Sequence, residues 1–174
     1  MVELARLSYL RPARADDDPF LYDVFCTTWA DEVAALPNQN LARHVLRIQH
    51  IAQERRFDSR YPGRRRFVLW HDGERAGRCY LFGSATFLHI VDLTVMTGFR
   101  SRGIGTRLVH DLMREATADG RRISLRVARG DERSADLYAS LGFDLVLADD
   151  VDTYFEWTPA SVLDATTQSS HAVP

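Results

Sequence analysis

The sequence predicts a mixed α/β domain in which helices cover a twisted sheet. Three observations carry that prediction. Strand-like and helix-like hydrophobic periods follow one another in the order β-α-α-β-β-β-α-β-α-β-β. An Asp-Gly pair lies between two β-rich runs, which is the local chemistry of a tight hairpin. A turn with two glycines joins an apolar strand to an amphipathic helix. The 174 residues are 45% apolar, enough to bury one core, and they show no internal repeat, linker or second domain.

Each element has a local cause. "LSYLRPA" is expected to form a short opening strand that ends at Pro12. The acidic residues and Pro19 of "ARADDDPF" suit a helix start, and Phe20, Leu21, Val24, Phe25 and Thr28 keep helical spacing through Trp29. "AALPNQN" is expected as a loop. From Asn40 a longer helix follows, with Leu41, Val45, Ile48 and Ala52 along one face, running out near "RRFDSRYPG". The run "RRFVLWHDGERAGRCYLFG" predicts a hairpin reversing at His71-Asp72-Gly73-Glu74. A third strand spans roughly Thr86 to Val95 and leads into the glycine turn. The helix after it lines up Ile104, Leu108, Leu112 and Ala116 and ends at Gly120, a residue suited to a left-handed helix end. "RISLRVA" is a strand, "DERSADLYASLGF" a short helix closed by Gly142, and "DLVL" with "TYFEW" a final strand pair around "ADDVD". After Pro159 the tail lacks aromatic anchors and is expected to be loose.

Composition narrows the function. The formal net charge is −2, so nothing global points to nucleic acid. All 22 basic residues are arginine, and without lysine the protein cannot modify its own lysine side chains. Cys26 and Cys79 fit no metal spacing and are too few for a disulfide framework, so no metal is expected. The opening "MVELARLSYL" is too short and too charged for a secretory signal, and no apolar run approaches the roughly 20 residues a membrane helix needs. The expected location is cytoplasmic, with no membrane or nucleic-acid partner.

The stretch "RSRGIGTRL" is the most informative. A dinucleotide-binding turn wants a third glycine where Leu108 stands and lies near the start of its domain. The phosphate loop of NTPases requires a lysine the chain does not have. What remains is a set of main-chain donors. The first amides of the helix have no acceptor within it, the helix dipole adds positive potential, and glycine lets an anion approach the backbone. Arg100 and Arg102 add charge at the rim.

These residues resemble the acyl-coenzyme A signature of the GNAT N-acetyltransferase superfamily, R/Q-x-x-G-x-G/A after a strand ending in Val. Arg100, Gly103 and Gly105 fill its positions; Ser101 stands where glycine is more usual and Thr97 where proline is frequent. "SADLYASLGFD" is similar to the superfamily's second signature, a helix ending in L-Y-x-x-L-G-F. The resemblance covers about Leu7 to Trp157. It implies one acetyltransferase domain over residues 1–158 with a tail over 159–174. Its sheet would be mostly antiparallel, splayed at the central strands, with helices on both faces.

The resemblance also implies a site. The amides of Arg102, Gly103, Ile104, Gly105 and Thr106 would hold the pyrophosphate of acetyl-CoA, the co-substrate. Leu93, Thr94 and Val95 would pair with the pantetheine arm as an added strand does, and the amide near Val95 would polarise the thioester carbonyl. Tyr138 matches the tyrosine that often serves as general acid toward the departing thiolate. For removal of the amine's proton the strand offers Asp92 and His89, which period-2 alternation places on opposite faces; a water-mediated route is the third option. An ionised Asp92 within "FLHIVDLTV" is costly to bury without a partner. Asp131 stands where relatives often carry asparagine near the coenzyme, and it also suits the N-cap of the following helix.

The expected activity is transfer of an acetyl group to a primary amine of a small molecule or peptide. The alternative is a coenzyme-binding sensor or interaction module with the same fold and no turnover. Asp149, Asp150 and Asp152 would attract a cationic acceptor. The arginines of "RRFDSRYPGRRR" suit the coenzyme's 3′-phosphate, a solvated surface or an anionic partner equally well. The sequence leaves the subunit number open, a homodimer included.

Overall fold

The computed structural model of the chain describes residues 7–30, 33 and 38–163. Seven strands make one mixed sheet: β1 (Leu10–Pro12), β2 (Arg65–His71), β3 (Glu74–Gly83), β4 (Phe87–Val95), β5 (Arg122–Ala128), β6 (Asp144–Ala148) and β7 (Asp152–Trp157). The order across the sheet is β1-β2-β3-β4-β5-β7-β6. β4 and β5 run parallel; β1 with β2, β2 with β3, β5 with β7 and β6 with β7 run antiparallel. The helices are α1 (Asp18–Thr27), α2 (Gln39–Arg60), α3 (Ile104–Ala118) and α4 (Glu132–Ser140). No helix among the described residues is long and apolar enough to cross a membrane.

The chain divides into two compact units. One comprises residues 3–81 and 91–105. Its β2–β3 hairpin closes His71 against Glu74, with Asp72 and Gly73 both at positive φ, the geometry the Asp-Gly pair predicts. Phe20, Leu21, Val24 and Phe25 of α1 are buried, and so are Phe67, Val68, Leu69, Tyr80 and Leu81 of the hairpin. Asn38 caps α2, its side chain accepting from the amides of Asn40 and Leu41 at 3.1 Å each.

The expected stripe on α2 is corrected here. Leu41 is 58% and Ile48 54% exposed, and Val45 and Ala52 are exposed as well. The buried residues are Ala42, Leu46 and Phe57, with half-buried His50 and Gln53 between them. Gln53 lies on this inner side, where it accepts from a buried arginine described below. β1 is also shorter than "LSYLRPA" suggested. The part of the predicted loop over residues 34–37 lies outside the described residues.

The other unit comprises residues 1–2, 82–90 and 106–174. Leu88 and Ile90 of β4, Leu108, Val109, Leu112 and Ala116 of α3, and Ile123, Leu125 and Val127 of β5 are buried. The α3 face is the one the spacing predicted. Gly120 and Gly142 take positive φ at the helix ends, as expected of their positions. After Pro159 one helical turn forms, in which Val162 N donates to Pro159 O at 2.9 Å. The rest of the tail lies outside the described residues.

β4 is divided between the two units, its residues through Ile90 in one and from Val91 in the other. Its register with β5 runs from Phe87↔Arg122 to Ile90↔Leu125. The second half, Val91–Val95, lies along β3. Met96 N donates to Ala76 O at 2.8 Å, and a Cβ on Gly77 would meet Thr94 O at 2.3 Å. Only glycine permits that approach.

Candidate active site

In the first unit, the chain leaves β4 at Val95, makes a single 3-10 turn over Thr97–Phe99 and enters α3 at Ile104. Two residues between them are left-handed, Ser101 at φ 60° and Gly103 at φ 74°. For Ser101 this conformation costs about 1–2 kcal/mol, which explains why glycine is the more usual residue there. A Cβ on Gly103 would meet no protein atom within 4 Å, so backbone conformation, and not crowding, demands glycine. The space over that residue is open to a ligand. On Gly105 a Cβ would meet Val95 Cγ2 at 3.9 Å and Leu93 Cδ2 at 4.0 Å, ordinary contact that ties the helix start to the end of β4. No acidic residue stands in the first turn of α3, so nothing of the helix's own offsets the positive potential of its first amides.

The two flanking arginines do different work. Arg100 Nε donates to Val95 O at 3.2 Å and its terminal nitrogen to Thr27 O at 3.5 Å, so it fastens the turn to the strand end and to α1. Arg102 is exposed, its guanidinium 5.3 Å from the centre of the Phe99 ring.

Asp92 has the partner its position required. Arg78 on β3, 1% exposed, donates from Nε to Asp92 Oδ1 at 3.1 Å and from a terminal nitrogen to Oδ2 at 2.9 Å. The same arginine reaches Gln53 Oε1 of α2 at 3.0 Å and Leu21 O of α1 at 3.3 Å. Thr94 Oγ1 adds a third donor to Asp92 Oδ1 at 2.9 Å. Burial works against the guanidinium's charge, and the charge of Asp92 more than restores it, so Arg78 titrates above the usual arginine range. The carboxylate joins β3, β4, α1 and α2 through one buried cation.

Part of the arginine-rich segment is also engaged within the protein. Arg64 pairs with Asp58 and Glu54, and Arg66 with Asp18 at 3.1 Å. Arg60 stacks on Tyr61 and Arg65 on Phe67. Burial raises the thiol of Cys79 far above its ordinary range and also raises that of Cys26, which makes neither a ready thiolate.

In the second unit, His89 Nδ1 lies 2.9 Å from Ser124 Oγ, the residue beside it in the β4–β5 register. Of the two candidate bases, His89 is bonded to Ser124 and Asp92, in the first unit, to Arg78. Tyr138 on α4 is 9% exposed, its ring 5.6 Å from that of Phe143 and 6.4 Å from that of Phe155. Asp131 caps α4, its side chain accepting from Ser134 N at 3.1 Å.

The acidic loop is largely spoken for. Asp149 accepts from Asp152 N at 2.7 Å, Val151 N at 2.8 Å and Tyr154 OH at 3.0 Å, and those backbone bonds hold its carboxyl below the usual range. Asp152 pairs with Arg126 at 2.7 Å. Among the described residues no group of three or more His, Cys, Asp or Glu is placed to hold a metal ion.

Arg78 and Ser124 were not foreseen from the sequence. Each is joined to its partner by strand register, which local spacing does not reveal, although an arginine inside the apolar run "AGRCYLFG" was a visible anomaly.

Comparison with known proteins bears on the fold and the family. No curated protein matches the chain in sequence. Among solved structures it is similar to the PaiA N-acetyltransferase of Thermoplasma acidophilum in complex with coenzyme A (TM-score 0.63, 17% identity, 86% of this chain and 97% of that one). It is likewise similar to the ribosomal-protein-S18-alanine N-acetyltransferase of Escherichia coli (0.59, 18%, 86% and 92%). An aminoglycoside 6′-N-acetyltransferase complexed with coenzyme A also shares the fold (0.54, 19%, 86% and 96%). The family model for the acetyltransferase (GNAT) family matches residues 23–143, and the chain belongs to that family.

Proposed function

We propose that the protein moves an acetyl group from acetyl-CoA to a primary amine of a small molecule or peptide. The observation that carries this is the turn from Ser101 to Gly105. Two left-handed residues aim a helix start at open space, directly after a strand whose pairing with β5 ends at Ile90. The amides of Arg102, Gly103, Ile104, Gly105 and Thr106 would take the pyrophosphate. Leu93–Val95 would take the pantetheine arm, with the amide near Val95 as the donor to the thioester oxygen. Tyr138 is assigned the proton for the departing thiolate. His89 is assigned the amine's proton, because both oxygens of Asp92 already accept from Arg78. Arg100 and Asp131 support the coenzyme indirectly, through the turn and the α4 cap they hold.

The acceptor's charge has less support. Two of the three carboxylates that would attract a cation, Asp149 and Asp152, are engaged within the protein, which leaves Asp150. We therefore assign the acceptor class by its amine alone. The test is incubation of the pure protein with acetyl-CoA and a panel of amines and peptides while free thiol is followed. Thiol release with one of them supports the transferase; coenzyme binding without release across the panel selects the sensor reading. Gly103→Glu places bulk and negative charge in the open space, and it is expected to abolish coenzyme binding measured by calorimetry. Unchanged affinity would reject the placement of the pyrophosphate.

A further inference from the structure

The outer face of α2 is apolar and uncovered. Leu41, Val45, Ile48 and Ile51 each leave at least 42% of their surface open, and Ala52 beside them is exposed as well. Helical spacing places these five within about 120° of one another and along about 16 Å of the axis. They lie on the side opposite the buried Ala42, Leu46 and Phe57. A surface helix ordinarily carries one apolar stripe, turned to the core, and keeps its outer face polar. α2 carries a second stripe turned to solvent. Single exposed apolar residues are common on any surface, whereas a contiguous row marks a site of contact.

The border of that stripe is basic. Arg47 stands on one side of it and Arg56 on the other, while Arg55 closes its C-terminal end; all three are exposed. From Gln39 to Gln53 no acidic residue occurs. The two acids of the helix, Glu54 and Asp58, both pair with Arg64. A positive rim thus surrounds an apolar ridge on a chain whose formal net charge is −2.

We propose that this face of α2 docks on an anionic lipid surface. Leu41, Val45, Ile48 and Ile51 enter the boundary between headgroups and acyl chains, and Arg47, Arg55 and Arg56 meet the lipid phosphates. The width of the stripe favours lipid over a single partner helix. Helix pairing buries a narrow seam of two positions in seven, but here Ile51 and Val45 extend the apolar surface to either side of Ile48. Arginine suits such a border, because its stem lies along apolar surface while its head stays among phosphates. A second copy of the chain fits poorly, since it would set the same arginines against each other. The lack of a run long enough to span a bilayer is no obstacle, because a helix lying in the interface spans nothing. Docking of this kind is independent of the transferase reading.

Sedimentation of the intact protein with vesicles tests the proposal without any substrate. Vesicles of phosphatidylcholine and phosphatidylglycerol, two to one, are expected to carry the protein down. Vesicles of phosphatidylcholine alone are expected to bind it on the order of ten-fold more weakly, and added salt to weaken the anionic case. Ile48→Asp is expected to lower the partition coefficient on the order of ten-fold, and Leu41→Gln gives a second, independent reading at the other end of the stripe. Arg47→Gln and Arg55→Gln are each expected to cost about five-fold. Val146→Asp makes the same kind of change at a residue 57% exposed on β6, and it is expected to leave binding unchanged. Circular dichroism confirms that each variant is folded. No sedimentation with the anionic vesicles, or equal binding to the neutral ones, overturns the proposal. So does an equal loss in Val146→Asp. A dimer in light scattering that Ile48→Asp dissolves assigns the face to a second copy. Binding of a synthetic leucine helix flanked by glutamates, with no binding to vesicles, assigns it to an acidic protein partner. Either result overturns the lipid assignment.

Discussion

Removing Asp92 separates an anchoring carboxylate from a catalytic one. Arg78 is 1% exposed, and two of its contacts, at 3.1 and 2.9 Å, go to Asp92. In Asp92→Ala those donors stay buried with the cation uncompensated, a change that costs about 3–5 kcal/mol. A Coulomb estimate agrees: opposite charges about 4 Å apart at an effective dielectric near 20 attract by about 4 kcal/mol. Domains of this kind are stable by about 5–15 kcal/mol, so the variant falls to the edge of folding. Urea denaturation followed by circular dichroism measures the loss. Replacing both partners by apolar residues, Arg78→Met with Asp92→Leu, removes the stranded charge and is expected to recover most of it. The opposing expectation is equally definite. A general base can be removed with little change in stability and a 10²–10⁴-fold fall in rate. Asp92→Ala that loses less than about 1 kcal/mol while thiol release collapses would refute the anchor reasoning.

Three other perturbations follow from the same contacts. Gly77→Ala sets a Cβ 2.3 Å from Thr94 O and 3.0 Å from Val95 Cα, backbone that cannot step aside. It is expected to cost about 1–3 kcal/mol by urea titration and to weaken acetyl-CoA binding, because β4 must shift at Leu93–Val95. Tyr138→Phe keeps the packing on Phe143 and Phe155, so turnover is expected to slow while coenzyme affinity by calorimetry stays level; an unaltered rate would leave Tyr138 a packing residue. Burial pushes the carboxyl of Asp17 up, but the hydrogen bonds from Arg11 and the Arg14 amide and the charges of Arg11 and Arg75 bring it below its ordinary 3.8. Its contribution to stability is full above that value and is lost as pH falls through the lower folded value. Asp17→Asn is therefore expected to flatten the acid limb of the stability–pH curve, measured by thermal melts below pH 4, roughly the ordinary carboxylate value.

What the sequence revealed of the fold was what neighbouring residues decide. Asp72-Gly73 can adopt the left-handed pair a tight hairpin needs, and Gly120 and Gly142 close their helices by the same freedom. The face of α3 was legible because Ile104, Leu108, Leu112 and Ala116 have no competing apolar row. α2 was not. Its apolar row of Leu41, Val45 and Ile48 was the obvious inner face, yet the helix turns Ala42, Leu46, Gln53 and Phe57 inward. Periodicity weighs only hydrophobicity, whereas the buried guanidinium of Arg78 needs acceptors, and Gln53 supplies one.

The same division runs through the site. The glycine turn and the tyrosine of α4 lie within the short segments that carry the resemblance to the family. Arg78 and Asp92 are 14 residues apart, and His89 and Ser124 are 35 apart. Their meeting depends on strand pairing, which side-chain alternation leaves undetermined by any even shift. A carboxylate in an apolar strand does oblige a partner, and the obligation was readable in "FLHIVDLTV". The identity of the partner required Gly77, because its missing Cβ lets β3 close on Thr94 and sets the register that lays Arg78 against Asp92. One glycine without a side chain thus lets β3 close on the end of β4, where Asp92 is held as the counter-ion of a buried arginine.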